Sequence, residues 1–130
     1  MKDFASLGAR VLLALIFIIA GWGKLGAGYA GTQQYMESMG VAGGLLPLVI
    51  FAELGGGLGI LFGALTRLAA TGLAVFCVAS ALIFHTDFAN QMQFIMFMKN
   101  LAIAGGMLAL IANGPGTYSL DAWWHNRSKT

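Results

Sequence analysis

Glu53, Lys99, Lys24, Asn100 and His85 are polar side chains set in or beside stretches that are otherwise almost wholly apolar. Glu53 is the only charge in the stretch 45–65, and Lys99 and Asn100 fall within the stretch 94–112. Lys24 closes the stretch 7–25, and His85 follows the stretch 68–84. A carboxylate with ammonium groups nearby can stay ionised in a low dielectric. Glu53 and Lys99 are therefore the candidate catalytic residues, with Glu53 suited to passing on a proton. Lys24, Asn100 and His85 are candidate ligand-binding groups, since amine, amide and imidazole all offer hydrogen-bond donors.

The positions of the two central charges need a physical reason. Glu53 lies about two residues from the middle of its stretch, roughly 3 Å from the midplane at helical rise, and Lys99 roughly 6 Å from the middle of its own. A charge at such depth costs about 2.5–3.5 kcal/mol on insertion scales and persists where it is neutral, paired or facing a wet cavity. Two readings stand side by side. In one, the ionisable groups converge on a common polar site. In the other, Lys24 snorkels to the interface, His85 ends a helix there, and Glu53 with Lys99 only fixes the register of two helices.

Several other chemistries lack their residues. Cys77 is the only cysteine, which leaves no internal disulfide and no Cys-x-x-Cys pair, and reads as a small buried apolar residue. His85 and His125 fall on opposite sides of the expected topology, so they do not face one haem. The sequence has no Cys/His cluster with zinc spacing and no phosphate-binding glycine loop after a strand. No metal site and no cofactor site are evident. Nor does any basic stripe point to nucleic acid.

The elements that must hold these residues follow from composition. Of 130 residues, 58% are hydrophobic and 9% charged, with a mean hydropathy of +0.80; soluble domains carry about 25% charged residues. The lipid bilayer is thus the solvent for most side chains. The fold expected is all-α, an integral membrane four-helix bundle in one domain over 1–130, with spans of about 7–25, 45–65, 68–84 and 94–112. Trp22 and Lys24 stand where a leader would be cleaved, so the first span reads as retained. Thr66 and Arg67 alone join the second and third spans, which makes them antiparallel neighbours. Asn113-Gly114-Pro115-Gly116 ends the fourth.

In the long first connection, 26–44, Thr32 is placed to cap a short helix with Tyr35, Met36 and Met39 on one side and Gly40 as its stop. Such a helix would lie on the membrane surface; a mobile loop is the alternative reading of the segment. Trp123 and Trp124 suit an interfacial belt. Lys2, Arg10, Arg67, Arg127 and Lys129 fall on one side of the bundle and Lys24 and Lys99 on the other, which places both termini in the cytoplasm by the positive-inside rule. Gly55, Gly59 and Gly63 recur every four residues along one side of the second span, a smooth stripe for packing within the bundle or between two copies.

Read together, these pieces resemble the DoxX family of small bacterial membrane proteins, and in particular its YqjF-type members. The resemblance covers nearly the whole chain. It rests on Arg10 before an apolar run ending Ala20-Gly21-Trp22-Gly23-Lys24, on Glu53-Leu54-Gly55-Gly56-Gly57, on Gly63 with Thr66-Arg67, and on His85. Phe97-Met98-Lys99-Asn100 and Gly114-Pro115-Gly116-Thr117-Tyr118-Ser119-Leu120-Asp121 complete the series. The resemblance implies a multi-pass protein of the bacterial inner membrane, and it marks Arg10, Lys24, Glu53, Arg67, Lys99 and Asp121. Some members are subunits of quinone-linked oxidoreductases such as thiosulfate–quinone oxidoreductase, or are tied to quinone or thiol stress. The expectation it carries is an accessory subunit that binds quinone or another small ligand among Glu53, Lys99, Lys24 and Asn100, beside a redox partner, with a homo-oligomer also allowed. A small-solute transporter and a structural assembly subunit are the alternatives.

Overall fold

The computed structural model describes residues 2–128. Helices account for the elements, and the described residues include no strand. α1 runs Lys2–Gly23 and α2 Gly28–Ser38. The second span is a composite: a 3-10 turn at Gly43–Leu45, α3 at Leu46–Ile50, a π-helical turn at Phe51–Gly55, and α4 at Gly56–Phe62. α5 covers Thr66–Phe84, α6 Gln91–Asn113 and α7 Leu120–Ser128. Four stretches of 22, 20, 19 and 23 residues are long and apolar enough to cross a membrane, and at helical rise they reach roughly 28–35 Å. Between 22% and 28% of each apolar window is buried inside the protein. Lipid must cover most of the rest.

The boundaries shift in ways that capping explains. α1 extends beyond the apolar stretch 7–25 at its N-terminal side, and Asp3 in its first turn suits the positive end of the helix. α6 begins at Gln91, because the Asn90 side chain accepts hydrogen bonds from Met92 N at 2.9 Å and Gln93 N at 3.4 Å. The tight link between the second and third spans is Gly63–Leu65, and Thr66 and Arg67 already belong to α5. α2 starts four residues before Thr32, whose hydroxyl donates to Gly28 O at 2.8 Å from inside the helix. Gly40, at φ 81°, follows its end as expected. Met36 is 4% exposed and clusters with Leu46 and Ile50, so α2 packs into the bundle while Tyr35 and Met39 beside it stay exposed. Lys129, counted above for orientation, lies outside the described residues.

Gly55, Gly59 and Gly63 do not share one packing surface within the bundle: the first closes the π turn, the second lies within α4 and the third ends it. Gly55 is exposed and faces only Phe51. The close approaches belong to Gly56, against Leu73 of α5, and Gly57, against Phe17 and Ile18 of α1. Gly59 meets the Ala64 carbonyl and Ala69, while Gly63 ends α4 in the left-handed region at φ 68°. The core between these helices mixes small and large apolar residues, among them Ala14, Phe17, Ile60, Ala70, Leu73 and Met107.

One end of the bundle is fastened by Arg10, Arg67 and Asp121. Arg10 is fully buried; Nη1 donates to Ile60 O and Leu61 O, each at 3.3 Å, and Nη2 donates to Tyr118 O. These carbonyls belong to the end of α4 and to the segment before α7. Asp121 accepts from Leu65 N at 2.7 Å and Thr66 N at 2.8 Å, capping α5, and its own N–H donates to Gly63 O at 2.8 Å. Arg67 Nε donates to Ile111 O at 2.9 Å near the end of α6. Burial pushes the Asp121 carboxyl up, but hydrogen bonding by Thr66 and Leu65 together with the Arg10 charge outweighs it and holds the group below the usual carboxylate range.

Candidate functional site

Towards the other end, the four spans surround a cavity of about 440 Å³, with Thr32, Tyr35 and Met36 of α2 forming one wall. That volume is within the roughly 300–1,000 Å³ typical of small-molecule sites. Its walls are mainly apolar: Ile16 and Phe17 from α1, Leu48 and Val49 from α3, Phe76 from α5 and Ile103 from α6 are representative. Lys24, Glu53, Lys99, Asn100 and His85 all line it. Topology alone had left open whether groups from four separate elements meet, and here they share one space.

Their pairing differs from the sequence expectation in one respect. The cation in contact with Glu53 is Lys24, with Nζ 2.7 Å from Oε1, and no ion pair joins Glu53 to Lys99 among the described residues. Lys24 also donates to Ala20 O at 3.3 Å. Packing explains the choice. Gly21 brings α1 against the π turn so closely that a Cβ there would lie 3.2 Å from Glu53 Cβ and 2.8 Å from Leu54 Cγ. Lys24 follows three residues later, one turn along the same side, and reaches the carboxylate. The Glu53 side chain is 5% exposed and that of Lys24 24%, and both line the cavity.

Glu53 is the central residue of the π turn Phe51–Gly55. A π turn widens the helix, and such turns recur at functional sites because they redirect a side chain without breaking the helix. Here the turn accompanies an acid that is 4% exposed and pointed between helices. Lys99 is exposed at the cavity's rim on α6, and Asn100 is half-buried beside it. His85 terminates α5, and its Nδ1 hydrogen-bonds Gln93 Oε1 across the 85–90 connection at 3.1 Å. Tyr35 stacks on Phe84, ring centres 5.4 Å apart, which ties α2 to the end of α5.

Cys77, Ser80 and Phe84 also line the cavity and were not singled out for it. Their spacing of three and four residues is the available signal, since it places them on one face of α5. Arg10, Arg67 and Asp121 lie outside the cavity, at the fastened end. Among the described residues, no three His, Cys, Asp or Glu side chains gather closely enough to hold a metal ion.

The DoxX family profile matches residues 5–86, more than half of the chain. The chain belongs to the DoxX family. It is 56% identical to the inner membrane protein YqjF of Escherichia coli K12 over 121 residues, covering 93% of this chain and 92% of YqjF. It is 38% identical to the inner membrane protein YphA of the same organism over 120 residues, covering 87% of this chain and 85% of YphA. No solved structure matches it. As a DoxX-family inner membrane protein, it carries Lys24, Glu53 and His85 within the matched region, whereas Lys99, Asn100 and Asp121 lie beyond its end.

Proposed function

We propose that this protein binds a quinone headgroup in the cavity and serves as an accessory subunit of a quinone-linked oxidoreductase system in the inner membrane. The observation that carries the reading is the composition of the cavity: apolar walls from every span, with Lys24, Glu53, Lys99, Asn100 and His85 on one lining. A quinone presents a flat apolar ring with carbonyl oxygens at its edges. Lys99 and Asn100 supply the donors those oxygens need, and Phe17, Phe76 and Ile103 supply surface for the ring. Glu53, held by Lys24 and lining the same space, is the group placed to pass a proton between the ligand and the outside. In this reading a partner protein supplies the electrons. Both termini lie in the cytoplasm, so the cavity sits towards the outer face.

Equilibrium binding of a short-tailed ubiquinone analogue to the protein in nanodiscs, measured against empty nanodiscs, tests the reading. Saturable binding is expected, weakened about tenfold or more when Lys99→Met and Asn100→Leu are combined, since each buried hydrogen bond to such a ligand contributes about 0.5–1.5 kcal/mol or more. Uptake no greater than that of empty nanodiscs would end it.

A further inference from the structure

The charges around the cavity do not balance. Its lining includes two ammonium groups, Lys24 and Lys99, and one carboxylate, Glu53. Glu53 is committed to Lys24 at 2.7 Å, and no ion pair reaches Lys99 among the described residues. The remaining polar liners do not supply a negative charge: Asn100, Thr32 and Ser80 are neutral, and His85 is engaged with Gln93. Lys99 stands about three residues from the middle of α6, roughly 5 Å along the axis. An ammonium at that depth is ordinarily matched by a counter-charge or held at a wet cavity.

We infer that the cavity selects an amphipathic monoanion, whose charged oxygen is received by Lys99 while its apolar body occupies the space between α1, α3, α5 and α6. An ionised hydroxyquinone and an aromatic carboxylate share this chemistry. The inference rests on the reading that the cavity is a ligand site, and it narrows that reading by charge. It separates the duties of the two lysines: Lys24 neutralises the protein's own acid, and Lys99 is the specificity-determining residue for the ligand.

Three naphthalene-sized probes of matched shape decide it at pH 7 with protein in zwitterionic phosphatidylcholine nanodiscs: neutral 1,4-naphthoquinone, anionic 2-hydroxy-1,4-naphthoquinone and anionic 2-naphthoate. The two anions should bind at least about tenfold more tightly than the neutral quinone, as a charge-assisted hydrogen bond warrants. Lys99→Met should erase that preference, lowering the affinity of both anions by a larger factor than that of the neutral quinone, and Lys99→Arg should retain it. Neutral quinone binding as tightly as its hydroxy form overturns the inference and leaves the quinone reading intact. Lys99-dependent binding of naphthoate with no binding of either quinone overturns the quinone reading and supports the inference. An anion preference that survives Lys99→Met overturns the assignment to Lys99, and failure of all three probes overturns both.

Discussion

Breaking the Lys24–Glu53 pair from one side should cost much more than removing both partners. Lys24→Met leaves the Glu53 carboxylate, 4% exposed, with no other ion-pair partner among the described residues. Removing one member of a buried pair typically costs about 3–5 kcal/mol. The Lys24 side chain retains 24% exposure, so part of the attraction is already screened and the lower end, about 3 kcal/mol, is expected. Glu53→Met should cost less, because the amine it leaves behind can reach water from the end of α1. The double variant replaces both charges with apolar side chains of similar length in a largely apolar setting, and its net cost should fall to about 1 kcal/mol or less. Unfolding of each variant in dodecyl maltoside, followed by far-ultraviolet circular dichroism against added dodecyl sulfate, gives the four corners of a double-mutant cycle. A coupling energy of about 2 kcal/mol is expected. Additive single and double variants would refute the claim that this contact holds α1 to the second span.

Two further outcomes follow from the helix surfaces and the fastened end. Gly57→Ala should lower the unfolding midpoint by the equivalent of about 1–3 kcal/mol, because the new Cβ would meet Ile18 Cγ1 at 2.9 Å and the Ile18 backbone nitrogen at 3.3 Å. Gly55→Ala faces only Phe51 at 3.6 Å and should be tolerated; equal effects at the two positions would contradict the close approach of α1 at Gly57. The carboxylate of Asp121, held below the usual range, contributes stability above the ordinary carboxylate range that is lost as pH falls through its lowered value. Thermal unfolding between pH 7 and pH 3 should therefore show a steeper acid loss for the native protein than for Asp121→Asn, and parallel curves would exclude Asp121 from the acid response.

Much of the architecture was legible in the residues. Apolar length placed the four spans, and the scarcity of charge made lipid their solvent. The polar groups could be expected to cluster because each is costly alone at its depth. The choice between Lys24 and Lys99 as the partner of Glu53 was not legible, since it depends on Gly21 letting α1 approach to within a side chain's reach. The π turn was hidden for a related reason: it adds no distinctive residue type. Arg10 and Asp121 were marked by resemblance, but their task of capping exposed carbonyls and N–H groups emerges only when distant segments are brought together. The depth of α2 was missed because Met36 looks the same in sequence whether it touches lipid or the protein's own interior.

Arg10 grips the end of α4 and Lys24 grips the π turn, so the first transmembrane helix is clasped to the second span at two points roughly 21 Å apart along its axis. A rod pinned twice can neither swivel nor slide. Around the chamber the other pieces are joined by contacts without an ion pair: Tyr35 of α2 stacks on Phe84 at the end of α5, and His85 bonds Gln93 of α6. α1 and the second span thus form the fixed side of the chamber.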